Sequence, residues 1–147
     1  MRPPDLIIGP KDQPQTLRWH LIRWRGWQVA LHKWLRSDSD RALHDHKSDN
    51  VSILLWGTYR EWFSHAWQHP KWVLRVPFLP VYRRAETPHR VELVNEKPVW
   101  TLWIRGPERR NWGFWCSPFR WVPWEDYLAE RDYSVPGSSS TVGSGCG

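Results

Sequence analysis

The stretch Leu43-His44-Asp45-His46, followed by Val51-Ser52-Ile53-Leu54-Leu55-Trp56-Gly57, decides how the chain is read. Side chains alternate across a β-strand, so residues two apart share a face, roughly 6–7 Å apart. The His-x-His spacing therefore sets two imidazoles side by side on one face of an extended segment, with Asp45 turned to the other. A helix would need a spacing of three or four. Val51 to Trp56 reads as a strand that Gly57 ends. A third histidine, His89, lies in another candidate strand, His89-Arg90-Val91-Glu92-Leu93-Val94. The expectation is a divalent metal held by His44, His46 and His89 inside a β-barrel.

Working outward, the composition favours β structure. The chain has 147 residues with 14 Trp, 4 Tyr and 4 Phe, and such side chains fit half-buried pleated surfaces. A single domain with one core is expected at this length. Residues 1–16 read as a proline-rich arm, with an edge strand at Leu6-Ile7-Ile8. Residues 17–133 read as the barrel domain. Within it, Leu17 to Arg23 and Trp27 to Leu35 alternate, with Leu17, Trp19, Leu21 and then Trp27, Val29, Leu31, Leu35 assigned to one side. Ser37 to Asp40 reads as a turn. Strands are expected at 58–63, 71–76 and 81–84, and Ser64 to Pro70 reads as a loop. His89–Val94 and Val99–Arg105 read as a hairpin-like pair. Residues 107–121 are expected to be irregular and to cap the barrel. Pro123 to Arg131 is the one expected helix, with proline in its first turn and acidic residues at its N-terminus. Residues 134–147 are a Gly/Ser-rich tail.

Net charge is +6, unevenly spread. Residues 1–36 hold seven Lys/Arg against two Asp/Glu, while residues 101–147 are balanced at five each. A basic strand pair interleaved with tryptophans permits nucleic-acid contact, but a solvated face with Arg stacked on Trp is the favoured reading. Two cysteines are too few for a disulfide framework, and Cys116 reads as a packed thiol. The absence of a signal-like or membrane-spanning apolar run points to a cytoplasmic protein without membrane contact. The pattern also leaves room for a homodimer.

The spacings around the histidines resemble the cupin superfamily, whose first signature runs Gly, five residues, His-x-His, three or four residues, Glu, six residues, Gly. Here Asp38, His44-Asp45-His46, Asn50 and Gly57 occupy those places, with Asp38 for the first glycine and Asn50 for the ligand glutamate. Of the second signature, His89 is retained. The resemblance spans residues 27 to 105 and looks closest to small single-domain cupin-like proteins of bacterial and phage genomes. It implies an all-β jelly-roll barrel or sandwich with one short C-terminal helix. It also implies a metal at His44, His46 and His89, with Asn50 as a weak neutral ligand.

A three-histidine set without the acidic ligand resembles the cysteine dioxygenase branch. That implies an oxygenase-type enzyme using Fe(II), with Zn(II) as the other ion such a set holds, acting on a small organic substrate. A non-enzymatic metal-stabilised module binding a ligand or protein partner is the alternative. Asp45, Asp49, Glu61 and Glu92 are the carboxylates near enough in sequence to supply the missing charge. Glu61 shares strand parity with Tyr59 and is expected to face inward. Tyr59, Glu61 and Arg105 are the candidate catalytic residues, Arg105 through bidentate pairing with a substrate carboxylate.

Overall fold

Short runs of branched and aromatic residues, broken by Gly, Pro and polar turns, form twelve strands among the described residues of the computed structural model, which are 1–9, 12–38, 42–63, 71–117 and 120–129. They are β1 (Leu6–Ile8), β2 (Thr16–Trp24), β3 (Trp27–Trp34), β4 (Leu43–His44), β5 (Asn50–Trp56) and β6 (Tyr59–Phe63). There follow β7 (Lys71–Arg75), β8 (Pro80–Arg83), β9 (His89–Leu93), β10 (Val99–Arg105), β11 (Gly113–Ser117) and β12 (Arg120–Pro123). One short helix, α1 (Trp124–Ala129), carries Glu125 and Asp126 in its first turn, where acidic side chains suit the helix dipole. The expected loop at Ser64–Pro70, the second half of the Ser37–Asp40 turn and the tail from 134 lie outside the described residues. Among the described residues, no helix is long and apolar enough to cross a membrane.

The strands make two six-stranded sheets, ordered β1-β2-β3-β10-β5-β8 and β12-β11-β4-β9-β6-β7. All pairings are antiparallel. The result is an all-β sandwich with a late helix, and no ladder joins the two sheets among the described residues. The chain crosses between sheets at Gly57, which follows β5 in the first sheet and precedes β6 in the second. Its φ of +90° is a left-handed conformation that glycine adopts without strain. A Cβ there would lie 2.7 Å from Val99 Cγ1. Beside this crossing lies the apolar core: Leu54, Tyr59, Val91, Leu93 and Val99, with Trp34 packed against them.

Three expectations are corrected. β9 and β10 do not form a hairpin: β9 pairs with β4 and β6, and β10 with β3 and β5. The 3-10 turn Val94–Glu96 carries the chain from one sheet to the other, so the short connection spans the sandwich. Residues 107–121 are not wholly irregular, because β11 and β12 pair there and extend the second sheet past β4. Finally, the inner face of β3 is the polar one. Gln28, Ala30 and His32 are buried, while Trp27 is exposed and Val29 and Leu31 are half-buried. A bulge between His20 and Ile22 breaks the alternation of β2 and leaves Leu21 outside. The stacked pair Trp19 and Trp100, 5.5 Å apart, lies on that outer face.

Candidate metal centre and cavity

β4 is only two residues long, yet it sets the centre. His44 pairs directly with His89 on one side and Phe114 on the other. Two residues on, the His46 N–H donates to the Ala85 carbonyl, and its own carbonyl accepts from Arg110 Nη1. Asp45 between them points away. Its carboxylate is fully buried, accepting from the Gly113 N–H at 2.8 Å and Trp121 Nε1 at 2.9 Å, with Arg110 Nη1 at 3.0 Å. Asp45 is therefore the pin that holds both histidines on the cavity side.

The three histidines converge: one ligand nitrogen from each of His44, His46 and His89 lies within 4.8 Å of the others. His46 Nε2 and His89 Nε2 are 2.7 Å apart. Metal–nitrogen bonds of about 2.0–2.1 Å place adjacent ligand nitrogens about 3 Å apart, so the set fits a divalent ion with small adjustments. Burial first, then the neighbouring histidines, hold the His46 imidazole well below its ordinary pKa. Burial also lowers His89, to about 4, against the opposing hydrogen bond that its Nδ1 donates to Glu61. Both rings are thus neutral near pH 7, the form that ligates metal.

Glu61 anchors this arrangement from beneath. Its carboxylate, 2 % exposed, lies 2.8 Å from His89 Nδ1. It also accepts from Arg75 Nε at 2.6 Å, from Arg83 Nη2 at 2.8 Å and from Arg83 Nε. Burial alone would raise its pKa, but the hydrogen bonds from His89 and Arg83 outweigh that and hold it below the usual carboxylate range. An ionised carboxylate only accepts, so His89 Nδ1 carries the proton and Nε2 presents its lone pair to the centre. This carboxylate–histidine pairing is the usual support of a metal-bound imidazole.

The other carboxylates expected near the histidines lie elsewhere. Asp49 bonds the Ala85 N–H and Arg109 at the surface, and Glu92 bonds Arg60 and Trp62. Asp38, in the place of the signature's first glycine, lies 3.9 Å from His44 Nδ1 while it accepts from the Val91 N–H.

The centre opens into a cavity of about 460 Å3 whose lining includes Asn50, Tyr59, Arg83, Thr101 and Arg105 as well as the three histidines. Asn50 is buried, and its Nδ2 has no hydrogen-bond partner among the described residues. Tyr59 is buried, its hydroxyl 3.5 Å from Arg83 Nη2, and burial raises its pKa. Arg105 donates from Nε to Gln28 at 2.8 Å and pairs with Glu108 at 3.1 Å, but its Nη1 is buried without an acceptor among the described residues. Sequence reasoning missed Arg83, Arg18, His32 and Asp38. Arg83 alone had a signal, since it alternates with Val81 on β8 opposite Asn50.

No protein-family model matches the chain, and no curated protein matches it significantly. Solved structures do. One is hydroxypropylphosphonic acid epoxidase from S. wedmorenis, with a TM-score of 0.53 and 14% identity over 71% of this chain and 58% of the epoxidase. Another is a putative mannose-6-phosphate isomerase from Ralstonia eutropha JMP134, with a TM-score of 0.55 and 15% identity over 67% of this chain and 90% of that one. A structure of the DMSP lyases RdDddP and RnDddQII matches with a TM-score of 0.51 and 15% identity, over 62% of this chain and 47% of that one. The epoxidase has been solved with Fe(II) and with Co(II). At these identities the likeness is one of fold: the sandwich is cupin-like, as the His-x-His and Gly57 spacing implied. The chain matches just over half the length of the epoxidase.

Proposed function

We propose that this chain is a metal-dependent enzyme of the oxygenase type, in which His44, His46 and His89 hold one divalent ion, Fe(II) ahead of Zn(II), beside a small organic substrate. The observation that carries this reading is the convergence of three imidazole nitrogens, one of them oriented by a buried, ionised carboxylate, at the wall of a cavity of about 460 Å3. An Fe(II) ion held there supplies oxygen activation, and Zn(II) supplies Lewis acidity.

The chain's own residues do the rest. Glu61 keeps the His89 proton on Nδ1, so that Nε2 stays a ligand. Asn50 offers a neutral amide where the cupin signature has a charged ligand, which leaves the site less negative. Tyr59 and Arg105 line the cavity and orient substrate. A cavity of this size, mostly apolar in its lining but with a few convergent polar groups beside the histidines, favours an enzyme over a purely metal-stabilised module.

The test combines metal content with oxygen uptake. Protein loaded anaerobically with Fe(II) is expected to consume O2 when supplied with an effective member of a panel of 2-oxoglutarate and thiol acids. His46→Ala is expected to abolish uptake. Stoichiometric metal with no uptake across the panel overturns the oxygenase reading in favour of the binding module.

A further inference from the structure

The basic excess of the first 36 residues is only partly a surface feature. Arg18 lies on the inner face of β2, opposite His32, and lines the same cavity as the three histidines. Its Nε donates to His32 Nε2 at 2.8 Å, and its guanidinium sits 4.7 Å over the Trp103 ring. His32 is held well below its ordinary pKa, chiefly by burial and then by Arg18, so it is a neutral acceptor. Among the described residues Arg18 makes no ion pair.

Its nearest charged influences are other cations. Burial, then Arg105, then Arg23 lower the Arg18 pKa to about 10. Arg105 is half-satisfied: Gln28 takes Nε, the half-exposed Glu108 takes Nη2, and Nη1 is buried without an acceptor. Asn50, opposite Arg105 in the ladder, adds a buried amide Nδ2 without a partner. On their other side, Arg18 and Arg105 line a more open hollow of about 640 Å3 that also holds His20, Arg23 and Arg25 against the single carboxylate of Asp5. Two arginines thus stand between a mainly basic mouth and the cavity, and among the described residues buried donors are left over and no carboxylate pairs with Arg18.

Arg18 and Arg105 are half-buried, and a cation drawn partly out of water gains from a counter-charge; a guanidinium is the side chain best shaped to take an oxyanion by two parallel hydrogen bonds. We infer that Arg18 and Arg105, with the Asn50 amide, form the receptor for the oxyanion of a small organic acid. The other end of that acid lies toward the three histidines. The substrate class is a compact carboxylate or phosphonate bearing a second, metal-ligating group such as a hydroxyl. The receptor itself stands without the metal, and only the orientation of the far end rests on the function proposed above.

Binding of small probes to the full chain tests this. Acetate, methylphosphonate, lactate and the neutral isostere lactamide are titrated by calorimetry, with and without bound Co(II). The anions are expected to bind and lactamide is not, and methylphosphonate against acetate separates the two oxyanion types. Arg18→Met and Arg105→Met are each expected to weaken anion binding tenfold or more while leaving metal uptake unchanged. Arg109→Ala, which removes one positive charge from the outer surface, is expected to leave it unaltered. Arg18→Gln serves as the second variant if Arg18→Met fails to fold. His46→Ala is expected to lose metal yet keep methylphosphonate binding, so failure of the metal reading and failure of the receptor are distinguishable. Equal binding of lactamide and lactate, or unchanged anion binding in both arginine variants, overturns the inference.

Discussion

Around Glu61, one buried carboxylate faces two guanidinium groups and an imidazole. Around Arg18, a guanidinium faces a neutral histidine, a tryptophan ring and the charge of Arg105. Both clusters adjoin the same cavity, and both were assembled from strands far apart in sequence. In the first, opposite charges are matched and hydrogen-bonded on both carboxylate oxygens. In the second, donors outnumber acceptors among the described residues, where one guanidinium nitrogen and one amide nitrogen remain unused. The difference separates a structural network, which is complete without a ligand, from a recognition site, which is not.

The largest expected effect comes from breaking the matched cluster. Glu61→Ala leaves Arg83 buried and unpaired, a loss of about 3–5 kcal/mol for breaking a buried ion pair, read by urea denaturation. The isosteric Glu61→Gln keeps more of the packing but no longer fixes the His89 tautomer, and loss of such a supporting group typically weakens metal affinity 10–100-fold. If Glu61→Gln binds metal as tightly as the native chain, the carboxylate only braces the fold.

The same substitution at two arginines sharpens the comparison. Arg83→Met removes one partner of the matched cluster and is expected to lower the denaturation midpoint strongly. Arg18→Met removes a cation that has no counter-charge and is expected to leave the midpoint unchanged or to raise it. Equal destabilisation by the two variants would mean that Arg18 is as structurally committed as Arg83.

A smaller effect belongs to the exposed cluster of Asp49, Glu86 and Arg109. The hydrogen bond from Arg109 is the leading cause of a Glu86 pKa lowered to about 2 from 4.5. A depressed carboxylate stabilises the fold above its unfolded pKa and loses that contribution as pH falls through its folded one. The stability difference between native chain and Arg109→Ala is therefore expected to be full above about pH 4.5 and to vanish near pH 2. Because these groups are solvent-screened, the effect is slight beside that of Glu61. A difference that persists unchanged at pH 2 would show that Arg109 acts by packing.

Much of this was legible from spacing. His44 and His46 share a face at the spacing of an extended segment, their interval to Gly57 matches the cupin signature that the chain resembles, and Val99–Arg105 alternates clearly enough to bound β10 at both ends. Asp45 was expected to face away from its neighbours, and it does. The inward register of β3 was not legible, because Val29 and Leu31 look like a core face. The cavity instead demands the polar set Gln28 and His32, and the aliphatic set goes outside. The β9–β10 connection misled for a related reason: a short turn looks like a hairpin whether it joins two strands of one sheet or spans two sheets. Arg18 owes its position to partners across the fold, and no local pattern marks it, whereas Arg83 alternates with Val81 and Asp38 stands in the place of the signature's first glycine.

The most direct test of the three-histidine centre is a titration of the metal-free chain with Co(II), followed by visible absorption. The account predicts a nitrogen-ligated spectrum that saturates at one equivalent per chain. It also predicts that His44→Ala, His46→Ala and His89→Ala each abolish it, while Arg18→Met leaves it intact. A native chain that develops no such spectrum, or one that persists in all three histidine variants, would contradict it.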